Sequence, residues 1–131
     1  VCSSERKQIF DNENTYLLIQ QSWAIESSWK VGRYVILPDH IHMFCAPAIL
    51  IAEPMTSWVK YCKSYVSRRW PFNEQQPIWQ KGYWDRQLRT GESYSVKWNY
   101  VRNNPLRHGL VKDPNEWPYQ GELNVFHWHD P

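Results

Sequence analysis

Two histidines one residue apart, in His40-Ile41-His42, stand where an extended stretch leaves a Pro38-Asp39 corner. Side chains along a strand alternate faces, so both imidazoles point one way while Ile41 and Met43 point the other. Two imidazoles on one face make half of a metal site, and the remaining ligands must come from another element. The same spacing recurs at His127-Trp128-His129. The pattern alone therefore does not separate a metal pair from two half-exposed strand histidines.

Tyr100 and Asn104 are candidates for the missing half. The stretch 92–103 reads as a helix opened by Thr90-Gly-Glu-Ser93, and it stops before Pro105 because a residue preceding proline is pushed out of helical geometry. Its apolar stripe is Tyr94, Trp98 and Val101. Tyr100 falls about 200° round from Trp98, at roughly 100° per residue, among Ser93, Lys97, Asn103, Asn104 and Arg107. Asn104 follows one turn later and can face the same spot. A phenol can attack a phosphodiester and form a covalent phosphotyrosine, but with an ordinary pKa of about 10 it needs help. A divalent ion held by His40, His42 and the Asn104 amide oxygen would polarise the scissile phosphate. Taken singly, Tyr100 also reads as a groove tyrosine packed on a sheet and Asn104 as a helix C-cap.

The elements that must position these residues follow from periodicity. Asp11 or Asn12 caps a helix over residues 13–28, with Leu17, Leu18, Gln21, Ile25 and Trp29 near one face. The β-branched and aromatic run 30–37 is a strand, and 40–46 is its hairpin partner, closed by Pro47. Pro54 sits at the first turn of a second helix, 55–69, whose stripe is Trp58, Tyr61, Cys62, Tyr65 and Val66. Lys60, Lys63, Arg68 and Arg69 decorate its other faces, as a solvated surface or as phosphate contacts. Residues 71–77 read as loop, 85–88 as a short strand, and the chain beyond Gly109 as mostly irregular. Residues 1–4 read as the tail of a strand whose start is lost, since the chain begins with Val1 rather than Met. The order predicts a single α+β domain over 1–131: a ferredoxin-like antiparallel sheet with helices on one face.

Composition narrows the classes. A chain of 131 residues is one domain able to bury a core without staples. Nine Trp and eight Tyr suit either a dense core or a platform for stacking bases. A net charge of +2 excludes a histone-like polycation but not a local basic groove. Cys2, Cys45 and Cys62 are widely spaced and read as reduced thiols, which predicts a cytoplasmic protein. No apolar run approaches the roughly 20 residues of a membrane span.

Three blocks together carry a family resemblance. Tyr34-Val-Ile-Leu-Pro-Asp-His-Ile-His-Met43 resembles the signature of HUH single-tyrosine transposases, with Leu37 where methionine is usual. Trp79-Gln-Lys-Gly-Tyr-Trp-Asp85 and Tyr100-Val-Arg-Asn-Asn-Pro-Leu-Arg-His-Gly-Leu-Val111 resemble later blocks of the REP-associated tyrosine transposases. The resemblance runs from about Lys7 to Tyr119. It implies that Tyr100 attacks single-stranded DNA, leaving a 5′-phosphotyrosine and a free 3′-hydroxyl. It implies Mg²⁺ or Mn²⁺ on His40, His42 and Asn104, and no nucleotide cofactor. The implied substrate is a REP/BIME hairpin with an adjoining guide sequence, handled by a monomer, with a dimer as the other possibility. Lys63, Arg68, Arg69, Lys97, Arg102 and Arg107 correspond to the family's basic face by position and charge. Two other readings share parts of this pattern: a domesticated hairpin-binding protein that does not cut, and a replication-initiator nuclease.

Overall fold

The central strand, β1 (Trp29–Ile36), is the element the others pack around. The computed structural model describes residues 1–25, 28–82 and 94–126. Val31 is buried, and Tyr34, Val35, Ile36 and the following Leu37 form a continuous buried run that only a strand covered on both faces can bury. β2 (Ile41–Pro47) pairs with β1 antiparallel, with Tyr34 opposite Met43, Val35 opposite His42 and Ile36 opposite Ile41. The Leu37 amide closes the intervening corner on the His40 carbonyl at 2.8 Å.

β3 (Gln120–Glu122) pairs with the other edge of β1, giving the order β2-β1-β3. It lies within the tail that sequence reads as irregular. Three residues carry no alternation to detect, and the strand exists because Arg33 to Val35 offer it a ladder. Gly121 is needed there: a Cβ would stand 2.9 Å from the Tyr34 hydroxyl.

Helices cover both faces of the sheet rather than one. α1 (Glu13–Ile25) and α2 (Met55–Arg68) enclose Tyr34, Ile36 and Ile41 with Ile19, Trp23, Trp58, Val59, Cys62 and Val66. On the opposite face, Val35 and Leu37 meet Trp117, with Trp98 and Val101 of α3 (Tyr94–Arg102) packed against them. The expected one-sided arrangement fails because β1 is apolar in both phases of its alternation.

Asn12, of the two candidate caps, does the capping: its Oδ1 accepts from the Thr15 amide at 2.9 Å. The buried face of α1 is Thr15, Ile19, Ser22 and Trp23, while Leu17 and Ile25 are exposed. Sequence periodicity misplaces this face because Ser22 enters the core with its hydroxyl donating to the Ile19 carbonyl at 2.7 Å. Ser28, at the expected end of this helix, is already in a turn. In α2, Val59 is buried while Tyr61 is exposed. The start expected for α3 at residues 92–93, the strand expected at 85–88 and the second histidine pair, His127 and His129, lie outside the described residues.

Val1 to Ser4 forms bridges rather than a strand, Cys2 with His40 and Ser3 with Trp79. The segment thus lies between the hairpin corner and the stretch 78–80. Among the described residues no helix is long and apolar enough to cross a membrane.

Trp117 ties the C-terminal segment to β1, donating from Nε1 to the buried Ile36 carbonyl at 2.9 Å. Trp117→Phe leaves that acceptor unpaired and should cost about 1–3 kcal/mol, read as a lower urea midpoint at unchanged slope. An unchanged midpoint would show that the bond contributes nothing net.

Candidate active site

The hairpin register decides where the histidines point. Because Val35 faces α3 and is the partner of His42, the His42 side chain shares that face, and Ile41 turns into the core on the other. The two imidazoles lie edge to face, their centroids 4.9 Å apart. Phe44 continues the same face and meets Tyr94 and Trp98 at 4.9 and 6.4 Å, which seats α3 beside the pair.

Both imidazoles are neutral at pH 7. Burial lowers the His40 pKa, outweighing the opposing pull of Asp39. Burial, followed by the charges of His40, the N-terminus, Arg107 and His108, lowers His42 to about 4. Their ring lone pairs are therefore available to a cation. His40 Nδ1 lies 2.7 Å from Asp39 Oδ1, and Asp39 Oδ2 accepts from Arg6 Nε at 2.9 Å. Burial works to raise the Asp39 carboxyl, but hydrogen bonds from Arg6 and His40 hold it below the usual range. An ionised Asp39 favours the tautomer with the proton on Nδ1, in which Nε2 of His40 is the acceptor.

The tyrosine half is built at the junction of two helices. α3 buries Tyr94 against the sheet and leaves Tyr100 68% exposed, off the packed stripe. Asn103 forms a turn, and α4 (Asn104–Arg107) begins with Pro105 in its first turn, where a missing N–H costs nothing. Asn104 is therefore not the cap of α3. It is buried, and Arg107 Nη2 donates to its Oδ1 and, at 2.7 Å, to the Tyr100 carbonyl. The Arg107 guanidinium carbon also stands 4.1 Å from the centroid of the Tyr100 ring. One side chain thus fixes both the phenol and the amide.

The halves meet through α4. The Arg107 charge acts on His42, and the His108 ring is 6.3 Å from that of His40. Among the described residues no group of three or more His, Cys, Asp or Glu is placed to hold a metal. A cation on the histidine pair would need an oxygen of another kind. Asn104 Oδ1 is an oxygen of that kind, with a second lone pair beyond the one that accepts from Arg107.

The basic candidates divide. Arg107 lies in the site. Lys63 is turned inward, its ammonium donating to the carbonyls of Gln80 and Gly82, and Arg102 donates to Asn115 Oδ1. Arg68 and Arg69 line an open groove of about 700 Å³ with Lys60, Tyr61 and Tyr65 on the α1–α2 side, away from the histidines. Lys97 is half-buried on α3. Asp39, Arg6 and His108 were not among the site residues expected from sequence. Asp39 and His108 are inside the motif blocks, whereas Arg6 has no local signal.

No family model matches the chain. It is 32% identical over 95 residues to a putative REP-associated tyrosine transposase of Haemophilus influenzae, covering 64% of this chain and 53% of that protein. It is 25% identical over 91 residues to a REP-associated tyrosine transposase of Escherichia coli, covering 70% of this chain and 53% of that one. The chain thus spans about half the length of the curated relatives it matches. The solved structure of a REP-associated tyrosine transposase bound to a REP hairpin superposes with a TM-score of 0.75 at 20% identity, over 91% of this chain and 72% of the other. The resemblance carried by the motif blocks is thus found in sequence, and the fold is that of a REP-associated tyrosine transposase.

His42 makes the metal-free protein acid-sensitive. Its folded pKa of about 4 lies below the unfolded value, so the unfolded state binds more protons as pH falls from about 6.5 to 4. Stability should decline across that window by up to about 3 kcal/mol, and His42→Gln should flatten the decline. Urea titrations in EDTA at several pH values read this directly; equal slopes in both proteins would refute it.

Proposed function

We propose that this chain, similar in sequence and fold to REP-associated tyrosine transposases, is a metal-dependent endonuclease and strand transferase acting on single-stranded DNA beside a REP-type hairpin. One observation carries the reading: an exposed Tyr100 and a buried Asn104 are held by the same arginine, beside two neutral histidines on one strand face. Neither residue type needs that company for packing.

In this reading Tyr100 is the nucleophile. Its oxygen attacks the phosphorus and the phenolic proton leaves. The bond from phosphorus to the 3′ oxygen breaks, and that oxygen takes up a proton. The products are a 5′-phosphotyrosine and a free 3′-hydroxyl. Phosphoester energy is kept in the new bond, so a 3′-hydroxyl can later displace the tyrosine without a nucleotide cofactor.

Arg107 contributes orientation, holding the ring from its face while anchoring the Asn104 amide one turn away. Its charge, which no carboxylate among the described residues pairs with, makes the surroundings of Tyr100 favourable for a phosphate. Asp39 keeps His40 in the tautomer that exposes Nε2. Mg²⁺ or Mn²⁺, held by His40, His42 and Asn104, would supply a Lewis acid that polarises the phosphate oxygen. In this reading Arg68 and Arg69, on the α1–α2 side away from the histidines, would contact the DNA duplex rather than the scissile strand. The protein would act as a monomer in the cytoplasm.

Tyr100→Phe should bind a REP-type hairpin as the parent does while losing covalent adduct by at least about a thousand-fold. A labelled oligonucleotide in Mn²⁺, run on a denaturing gel, gives the answer. Cleavage by that variant would remove Tyr100 from the mechanism. Tight binding with no cleavage by the parent chain would favour the non-cutting hairpin-binding reading.

A further inference from the structure

The tight turn before α1 is strained in a way that packing does not account for. Glu5 and Arg6 both have φ of 55°, the left-handed region that residues with a Cβ rarely enter and that costs free energy at each. The turn is held on both sides. The Ser3 amide donates to the Asp39 carbonyl at 2.9 Å, and the buried Ser3 hydroxyl donates to the Lys7 carbonyl at 2.7 Å. The Ile9 and Phe10 amides both donate to the Pro38 carbonyl. The result folds Arg6 back over the Pro38-Asp39 corner.

The gain is not stability. The Arg6 side chain is 55% exposed, and an ion pair that open to water contributes little. What Arg6 does achieve is occupancy of Asp39. With Oδ2 taken by Arg6 Nε, the carboxylate has one oxygen left, and it receives His40 Nδ1. Arg6 Nη2 stands 3.4 Å from the same nitrogen, and since a guanidinium only donates, the 2.7 Å contact to Asp39 is the one that sets the Nδ1 proton.

We propose that Arg6 is a positioning residue: the left-handed turn delivers its guanidinium to Asp39 so that His40 is locked with its proton on Nδ1 and its lone pair on Nε2. The inference rests on the metal reading of His40 given above. Strain at the turn is then the counterpart of order at the ligand.

The test compares the full chain with Arg6→Gly, Arg6→Lys and His42→Gln, using three readouts. These are the ¹⁵N shifts of the His40 ring in metal-free protein, Mn²⁺ affinity by calorimetry, and Tm. Arg6→Gly should mix the two His40 tautomers and weaken Mn²⁺ binding about tenfold, the lower end for losing a residue that orients a ligand. Its Tm should stay level or rise, because glycine adopts positive φ freely. Arg6→Lys, which keeps a cation for Asp39, should restore most of the affinity. Unchanged tautomer and affinity in Arg6→Gly would overturn the proposal. So would a loss of affinity that merely follows a lower Tm. If His42→Gln binds Mn²⁺ as the parent does, the metal reading fails by itself, while the tautomer measurement still judges Arg6.

Discussion

Everything at the candidate site depends on the register of one hairpin. Ile36 opposite Ile41 and Val35 opposite His42 assign the two phases of β2 to different faces. A slip by one residue would bury both histidines among Phe10, Trp58 and Val66 and expose Ile41. That exchange is costly in both directions, because two imidazoles lose water while an isoleucine and a methionine gain it. The core on the α1–α2 side therefore fixes the chemistry on the α3 side. The apolar residues of β2 hold the histidines in place from the opposite face.

The second determinant is the balance of charge around neutral imidazoles. Burial keeps His40 and His42 uncharged, and cations stand at both edges, Arg6 by His40 and Arg107 by Asn104. Asp39 is the one carboxylate bonded to the pair among the described residues, and its charge is committed to Arg6 and His40. In the proposed reading such a site would take a phosphate and offer lone pairs to a metal without surrounding it with carboxylates. It differs in this from sites where several acidic residues hold the ion tightly.

Much of this was legible in the sequence, for identifiable reasons. The hairpin, both long helices and the off-stripe position of Tyr100 follow from local periodicity, which a single chain displays. The order of the elements pointed to the α+β fold, and the three motif blocks to the family resemblance. The missing parts are long-range. β3 owes its existence to the free edge of β1, and the second helical layer to the two-sided burial of that strand. Lys63 looks like a surface cation until the loop at Gln80 and Gly82 folds against it. Arg6 reaches Asp39 across 33 positions of sequence, and no local pattern announces it.

The central claim is that Tyr100 forms the bond to DNA, and mass spectrometry of the reacted protein tests it most directly. The chain would be incubated with a single-stranded REP-type hairpin and Mn²⁺, digested with nuclease and trypsin, and each tyrosine peptide weighed. A residual nucleotide on the peptide Trp98-Asn99-Tyr100-Val101-Arg102, and on no other, is the predicted result. A nucleotide on a different tyrosine, or cut DNA with no protein-bound nucleotide, would contradict it.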